Sequence, residues 1–224
     1  NSNKYCKKEN CKVVYAIAEK IPKETSDQNK IEIEQLIKNN VPIILYVGKL
    51  SKGKGSDTLF SSHKIVLKEI PNAKLVICGN INKDWKYEEQ HTIFLGFLNQ
   101  NQINYIYSKC NVVVVPSSWP EPLGWGTIDA GRHKKPIVAT KVGGIPEAVI
   151  NNKTGFLVEK KDSIKMGNEI IKLLKNYKLS NQLGLAAYQH VFKKFGKDNV
   201  KKQLYDLYKE FKVWLIRKFL LKMA

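Results

Sequence analysis

The sequence predicts an α/β fold, a Rossmann-like doubly wound parallel sheet with a C-terminal helical extension. Three observations predict it. Short runs of β-branched and aliphatic residues recur, as in Ile43-Ile44-Leu45-Tyr46-Val47 and Val112-Val113-Val114-Val115, and read as strands buried on both faces. Stretches with apolar residues at helical spacing separate these runs, which is the pattern of βαβ units. Glycine or proline follows the strands, at Gly48, Gly79, Pro116 and Gly143. Right-handed crossovers then place helices on both faces of the sheet.

Residues 1–40 read as a linker or the tail of something upstream. They carry a short apolar run, Val13 to Ile17, expected to be a strand. A polar, turn-like stretch from Pro22 to Lys30 and a short helix from Ile31 to Asn39 follow. At Ile43 the first buried strand begins. Asp57 is expected to cap the next helix, whose apolar face is Leu59, Ile65, Val66 and Ile70. Further strands are expected at Lys74–Cys78, Thr92–Phe97, Asn111–Val115, Pro136–Thr140 and Thr154–Glu159. Helices are expected at Asn101–Ser108, from the Gly124 region to Lys134, and at Ile145–Ile150. Three more close the chain, at Ser163–Tyr177, Ser180–Phe195 and Asp198–Leu221. The domain of interest spans 41–195, and 196–224 is an amphipathic helical end.

Composition narrows the function classes. A hydrophobic content of 43% is that of a globular chain. The formal charge of +18 favours anionic partners, but for most of the lysines it fits better a background composition on solvated faces. No motif interleaves aromatic and basic residues for base stacking, so no nucleic-acid partner is expected. Cys78 and Cys110 fall in or beside strands, where a thiol acts as a small buried apolar group. Cys6 and Cys11 form a lone C-x4-C without matching histidines, so zinc is not expected. A reducing, cytoplasmic compartment fits.

Three constellations carry chemistry. The first is Gly48-Lys49-Leu50-Ser51-Lys52-Gly53-Lys54-Gly55, a cationic glycine-rich turn between strand and helix. Backbone N–H groups and the helix dipole there favour phosphate. It is not a P-loop, because Gly55 stands where magnesium binding needs a hydroxyl. Taken alone, it is equally an ordinary turn with exposed lysines. The second is Glu121 with Asp129, one acid on a loop and one about a turn into the following helix. Both can face the C-terminal edge of the sheet, where such folds bind ligands. Carboxylates accept from vicinal hydroxyls, although by spacing alone these are more readily a surface acid and a helix acid. The third is Gly143-Gly144-Ile145-Pro146-Glu147, where Pro146 and Glu147 suit a first helical turn.

Together the three resemble the donor-binding, C-terminal domain of the GT-B glycosyltransferases of family 4, group 1. The family pattern runs G-R-L-x-x-x-K-G, E-P-[FL]-G-x-x-x-x-E-A, K-P-V-[VI]-A-T-x-x-G-G-x-P-E and T-G-x-L-V. Here stand Gly48 to Gly55, Glu121-Pro122-Leu123-Gly124 through Asp129-Ala130, Lys135 to Glu147 and Thr154-Gly155-Phe156-Leu157-Val158. The resemblance implies retaining transfer of a hexose from a nucleoside diphosphate sugar to a hydroxyl acceptor, with no metal and no cofactor. It implies catalytic roles for Lys49 and Lys54 on the diphosphate and Glu121 on the sugar. Gly48, backbone N–H groups of Leu123, Gly124 and Trp125, and Asp129 on the ribose would complete the donor site. Phe97 and Leu98 would hold the base.

Three departures stand out. Lys49 replaces arginine and loses the bidentate fork. Asp129 replaces glutamate and shortens the arm by about 1.5 Å. Gly131 is expected to cost its helix about 1 kcal/mol. The resemblance also implies an acceptor-binding half, as a further domain or a partner chain. A non-catalytic nucleotide-sugar-binding subunit is the alternative. Residues 212–224 form a basic amphipathic end, expected either to dock on that half or to lie peripherally on a membrane surface.

Overall fold

The computed structural model describes residues 14, 15, 17–19, 34, 39–80 and 91–223, those from 214 onward through the backbone alone. Its centre is a six-stranded parallel sheet. The strands are β1 (Ile43–Val47), β2 (Lys74–Cys78), β3 (Thr92–Gly96), β4 (Val112–Val115), β5 (Ile137–Thr140) and β6 (Phe156–Val158). The spatial order is β3-β2-β1-β4-β5-β6. The order reverses between β1 and β4, where Ile44 pairs with Val112 and Leu45 with Val113. In this topology the crevice outside the strand C-termini at that reversal is the ligand position.

The helices are α1 (Ser56–Glu69), α2 (Gln100–Lys109), α3 (Trp125–Arg132), α4 (Ile145–Ala148), α5 (Ser163–Lys175), α6 (Tyr177–Phe195) and α7 (Lys197–Met223). Strand alternation sorts them onto two faces. Ile44, Tyr46, Leu75, Ile77, Val112 and Val114 pack with Leu59 and Val66 of α1 and with Met166 and Ile170 of α5. Ile43, Leu45, Val76, Val113 and Ala139 pack with Ile106 and Tyr107 of α2, Ala130 of α3 and Ile145 of α4. Both faces of the strands are thus covered, which is why they read as unbroken apolar runs.

Several local expectations change. Asp57 is not the cap of α1. The helix starts one residue before it, with Gly55 as N-cap at φ 75. A Cβ at Gly55 would collide with the Pro116 carbonyl. The turn is closed by Ser51 and Ser56 instead, since Ser56 Oγ accepts from the Ser51 N–H at 2.8 Å and donates to its carbonyl at 3.1 Å. Helix α2 begins earlier than expected because Asn99 and Gln102 form a reciprocal capping box, both bonds 2.9 Å. Gly131 is interior to α3, but its cost is offset. Any side chain there would meet Val191 and the Ala187 carbonyl of α6, so glycine sets the helix spacing. The T-G motif has a turn role, with Thr154 Oγ1 accepting from the Ile150 N–H at 2.7 Å.

By internal contacts the chain divides into two units, 20–191 and a second of 1–19 with 192–224. In the second unit, Ala18 makes an isolated parallel bridge to Gly196, and the Tyr15 ring meets Phe195 edge-on at 5.0 Å. Val14, Tyr15 and Ile17 form no strand, so this is one bridge where a strand was expected. Of the helix expected at 31–39, Glu34 is helical and most of the remainder lies outside the described residues, as do Cys6 and Cys11. On α7, Tyr205, Tyr208, Phe211 and Val213 are exposed. The side chains expected to form its amphipathic end lie mostly outside the described residues. Among those described, no helix is long and apolar enough to cross a membrane.

Candidate functional site

The two loops that leave β1 and β4 at the reversal meet through the main chain. The Gly53 carbonyl accepts from the Ser118 N–H at 2.9 Å and from the Trp119 N–H at 3.2 Å. The turn after β5 joins them, with Gly144 N–H donating to the Glu121 carbonyl at 2.7 Å. Thr140 Oγ1 donates to the Ser117 carbonyl at 2.6 Å. Three strand ends therefore fix one residue, Glu121.

The Glu121 side chain is buried, and one oxygen receives three donors. Lys54 Nζ lies 2.6 Å from Oε1, Ser117 Oγ 2.7 Å and Trp119 Nε1 2.9 Å. The Lys54 ammonium also sits 5.2 Å from the centre of the Trp119 ring, an attractive cation–π arrangement. Burial, the largest influence, pushes the Glu121 pKa up. The bonds from Lys54, Ser117 and Trp119 and the Lys54 charge together outweigh it, and the carboxyl is held below its usual range. It is therefore a carboxylate at neutral pH. Its second oxygen, Oε2, takes no hydrogen bond among the described residues and can accept from a ligand hydroxyl. Burial, and then the Glu121 charge, raise the pKa of nearby Tyr46, so its hydroxyl stays protonated and donates to the Lys49 carbonyl at 2.9 Å.

The other expected site residues are distributed as follows. Gly48 and Lys49 follow β1, and the Lys49 side chain is exposed with no ion-pair partner among the described residues. Phe97 is 81% exposed just past β3, and Leu98 beside it is half-buried. Gly124 is the N-cap of α3 at φ 69 and has no side chain to cap it. Leu123 is half-buried, and Trp125 is exposed on the first turn. Asp129 is one turn further along, where Arg132 donates to its Oδ1 at 2.8 Å. The structure thus joins Lys54 to Glu121 directly, whereas Asp129 is held by Arg132.

Sequence reasoning missed Ser117, Trp119 and Arg132 as partners of the two acids. A signal existed for the first two. Residues 117, 119 and 121 lie on one short loop bounded by Pro116 and Pro122, near enough in sequence for their side chains to meet. Beneath α3, His133 stacks on Tyr107 with ring centres 4.9 Å apart. His133 Nδ1 lies 2.7 Å from the Asp129 carbonyl, which can only accept, so this nitrogen carries the proton. Burial lowers the His133 pKa and keeps the ring neutral.

Residues 27–190 match the family model described as glycosyl transferases group 1. The chain belongs to that family. Among curated relatives, the capsular polysaccharide biosynthesis glycosyltransferase CapM of Staphylococcus aureus is 30% identical over 195 residues. That match covers 83% of this chain and 50% of CapM. The chain spans about half the length of the curated relatives it matches. Among solved structures, the C-terminal domain of the group 1 glycosyltransferase LpcC of Francisella tularensis has a TM-score of 0.63 at 23% identity. There the match covers 77% of this chain and 95% of that domain. Anabaena HepE, solved with UDP and glucose, has a TM-score of 0.71 at 22% identity, over 83% of this chain and 53% of HepE. The group 1 chain is thus a Rossmann-like half of the GT-B architecture, with the motifs Gly48–Gly55, Glu121–Ala130 and Gly143–Glu147 gathered at its sheet reversal.

Proposed function

We propose that this chain is the donor-binding half of a retaining hexosyltransferase, holding a nucleoside diphosphate sugar at the edge between β1 and β4. The observation that carries the reading is the Lys54–Glu121 pair, a cation and a buried carboxylate 2.6 Å apart at the sheet reversal. In this reading Lys54 and Lys49 bind the diphosphate and stabilise the charge that develops on it as the sugar–phosphate bond breaks. Backbone N–H groups of Leu123, Gly124 and Trp125, at the start of α3, add to that field. Glu121 accepts from the sugar hydroxyls through Oε2. Asp129 accepts from the ribose while keeping its bond to Arg132, and Phe97 with Leu98 borders the base. Transfer to a hydroxyl acceptor needs an acceptor-binding half, in the same protein or a partner.

HepE has been solved with UDP-glucose, which makes that compound the first donor to test. Calorimetric titration with UDP, GDP and ADP and their glucose conjugates tests the reading. One nucleotide family binding at the site, with the sugar form tighter, is the expected result. No binding by any of them overturns it. A non-catalytic subunit is the second reading, favoured by Lys49 and by the Arg132-tethered Asp129. Donor turnover once an acceptor half is supplied separates the two.

A further inference from the structure

We propose a second, anion-binding site on this chain, built to take a phosphomonoester of a small polyol. It is a pocket of about 320 Å³ at the N-terminal ends of α1 and α5. That volume lies at the lower end of the range for small-molecule sites. Lys52 and Lys161 supply two ammonium groups, and Thr58, Ser61, Ser118 and Ser163 supply hydroxyls. None of these belongs to the donor site proposed above. Ser118 follows Ser117 and precedes Trp119, both of which donate to Glu121, yet it lines this pocket instead.

Two observations on α1 point to a ligand. Gly55 gives the helix no side-chain cap, so its positive end is open to an anion. Independently, Thr58 is only 5% exposed, lines the pocket, and its hydroxyl has no hydrogen-bond partner among the described residues. The Thr58 side chain is thus held by its neighbours, with a hydroxyl left to donate to an occupant of the pocket. The N-terminus of α5 borders the same space through Ser163, and is itself capped by Asp162, which accepts from the Lys165 N–H at 2.9 Å. Lys161 reaches it from a backbone at φ 68, a left-handed conformation that a lysine adopts at a cost. Asp57, also on the lining, is exposed, and two ammonium groups with the uncapped end of α1 outweigh its charge. The hydroxyls exceed what a bare phosphate uses and suit a polyol carrying it.

The test is a titration of the ¹⁵N-labelled chain with inorganic phosphate and with glycerol 3-phosphate, against sodium chloride at equal ionic strength. Saturable shifts of the Asp57, Thr58 and Ser163 amides, unmatched by chloride, are expected. Tighter binding of glycerol 3-phosphate identifies a phosphorylated polyol, and equal binding identifies phosphate itself. Lys161→Gly relieves the backbone and keeps the fold, and should weaken binding about tenfold by removing a charge-assisted bond. Thr58→Val keeps the shape and should also weaken it. Nucleoside diphosphate affinity should be unchanged in both. The proposal is overturned if these amides do not move, if chloride moves them equally, or if both variants titrate like wild type.

Discussion

Gly143 lies against the main chain of Glu121 at φ 53, so closely that a Cβ would overlap the Glu121 carbonyl, amide and carbonyl carbon. The second glycine motif is therefore the wall that the Glu121 loop rests on. Gly143→Ala should cost about 1–3 kcal/mol from backbone conformation, plus a steric share. Gly96→Ala is the control, since Gly96 has φ 66 and nothing within 4 Å of its Cβ position. Urea unfolding should show the larger loss at Gly143. Equal losses would mean that the contact carries no weight.

Lys54→Ala should weaken nucleoside diphosphate binding about ten- to a hundredfold, the value of a hydrogen bond to a charged group, while the fold survives. Calorimetry checks affinity, and circular dichroism checks the fold. Unchanged affinity counts against the site assignment.

The depressed pKa of Glu121 has a sign that can be tested. A group whose folded pKa lies below its unfolded value contributes stability above the unfolded pKa, and loses it as pH falls through the folded value. Wild type should therefore exceed Glu121→Gln in stability most at neutral pH. The gap should close below about pH 4, the ordinary glutamate range. A gap independent of pH would show that the pairing with Lys54 contributes nothing.

Gly131→Ala sets two rules against each other. Helix propensity predicts a gain of about 1 kcal/mol, and overpacking against Val191 and Ala187 predicts a loss of about 1–3 kcal/mol. The expected outcome is a lower thermal midpoint. A higher one would mean that α6 moves aside freely.

The sheet was legible because parallel strands buried on both faces leave continuous apolar runs, and β1 and β2 begin and end where Ile43–Val47 and Lys74–Cys78 predict. The motifs of the candidate site were legible in order, and the reversal brings the ends of β1 and β4 together in any fold of this topology. Partnerships were not. Arg132 takes Asp129 through a helix spacing that many unpaired charges share, and Asn99 caps α2 by a pattern too short to stand out from the surrounding polar residues. The Gly55 start of α1 was hidden because its necessity comes from Pro116, sixty-one positions later in the chain.

Beside the Thr140 hydroxyl, the ties that hold the Glu121 main chain in place run through peptide groups: the Gly53 oxygen to two amides, and the Gly144 amide to Glu121 itself. Peptide groups are common to every residue. Many side chains around the crevice can therefore change while the main chain of the acid keeps its address.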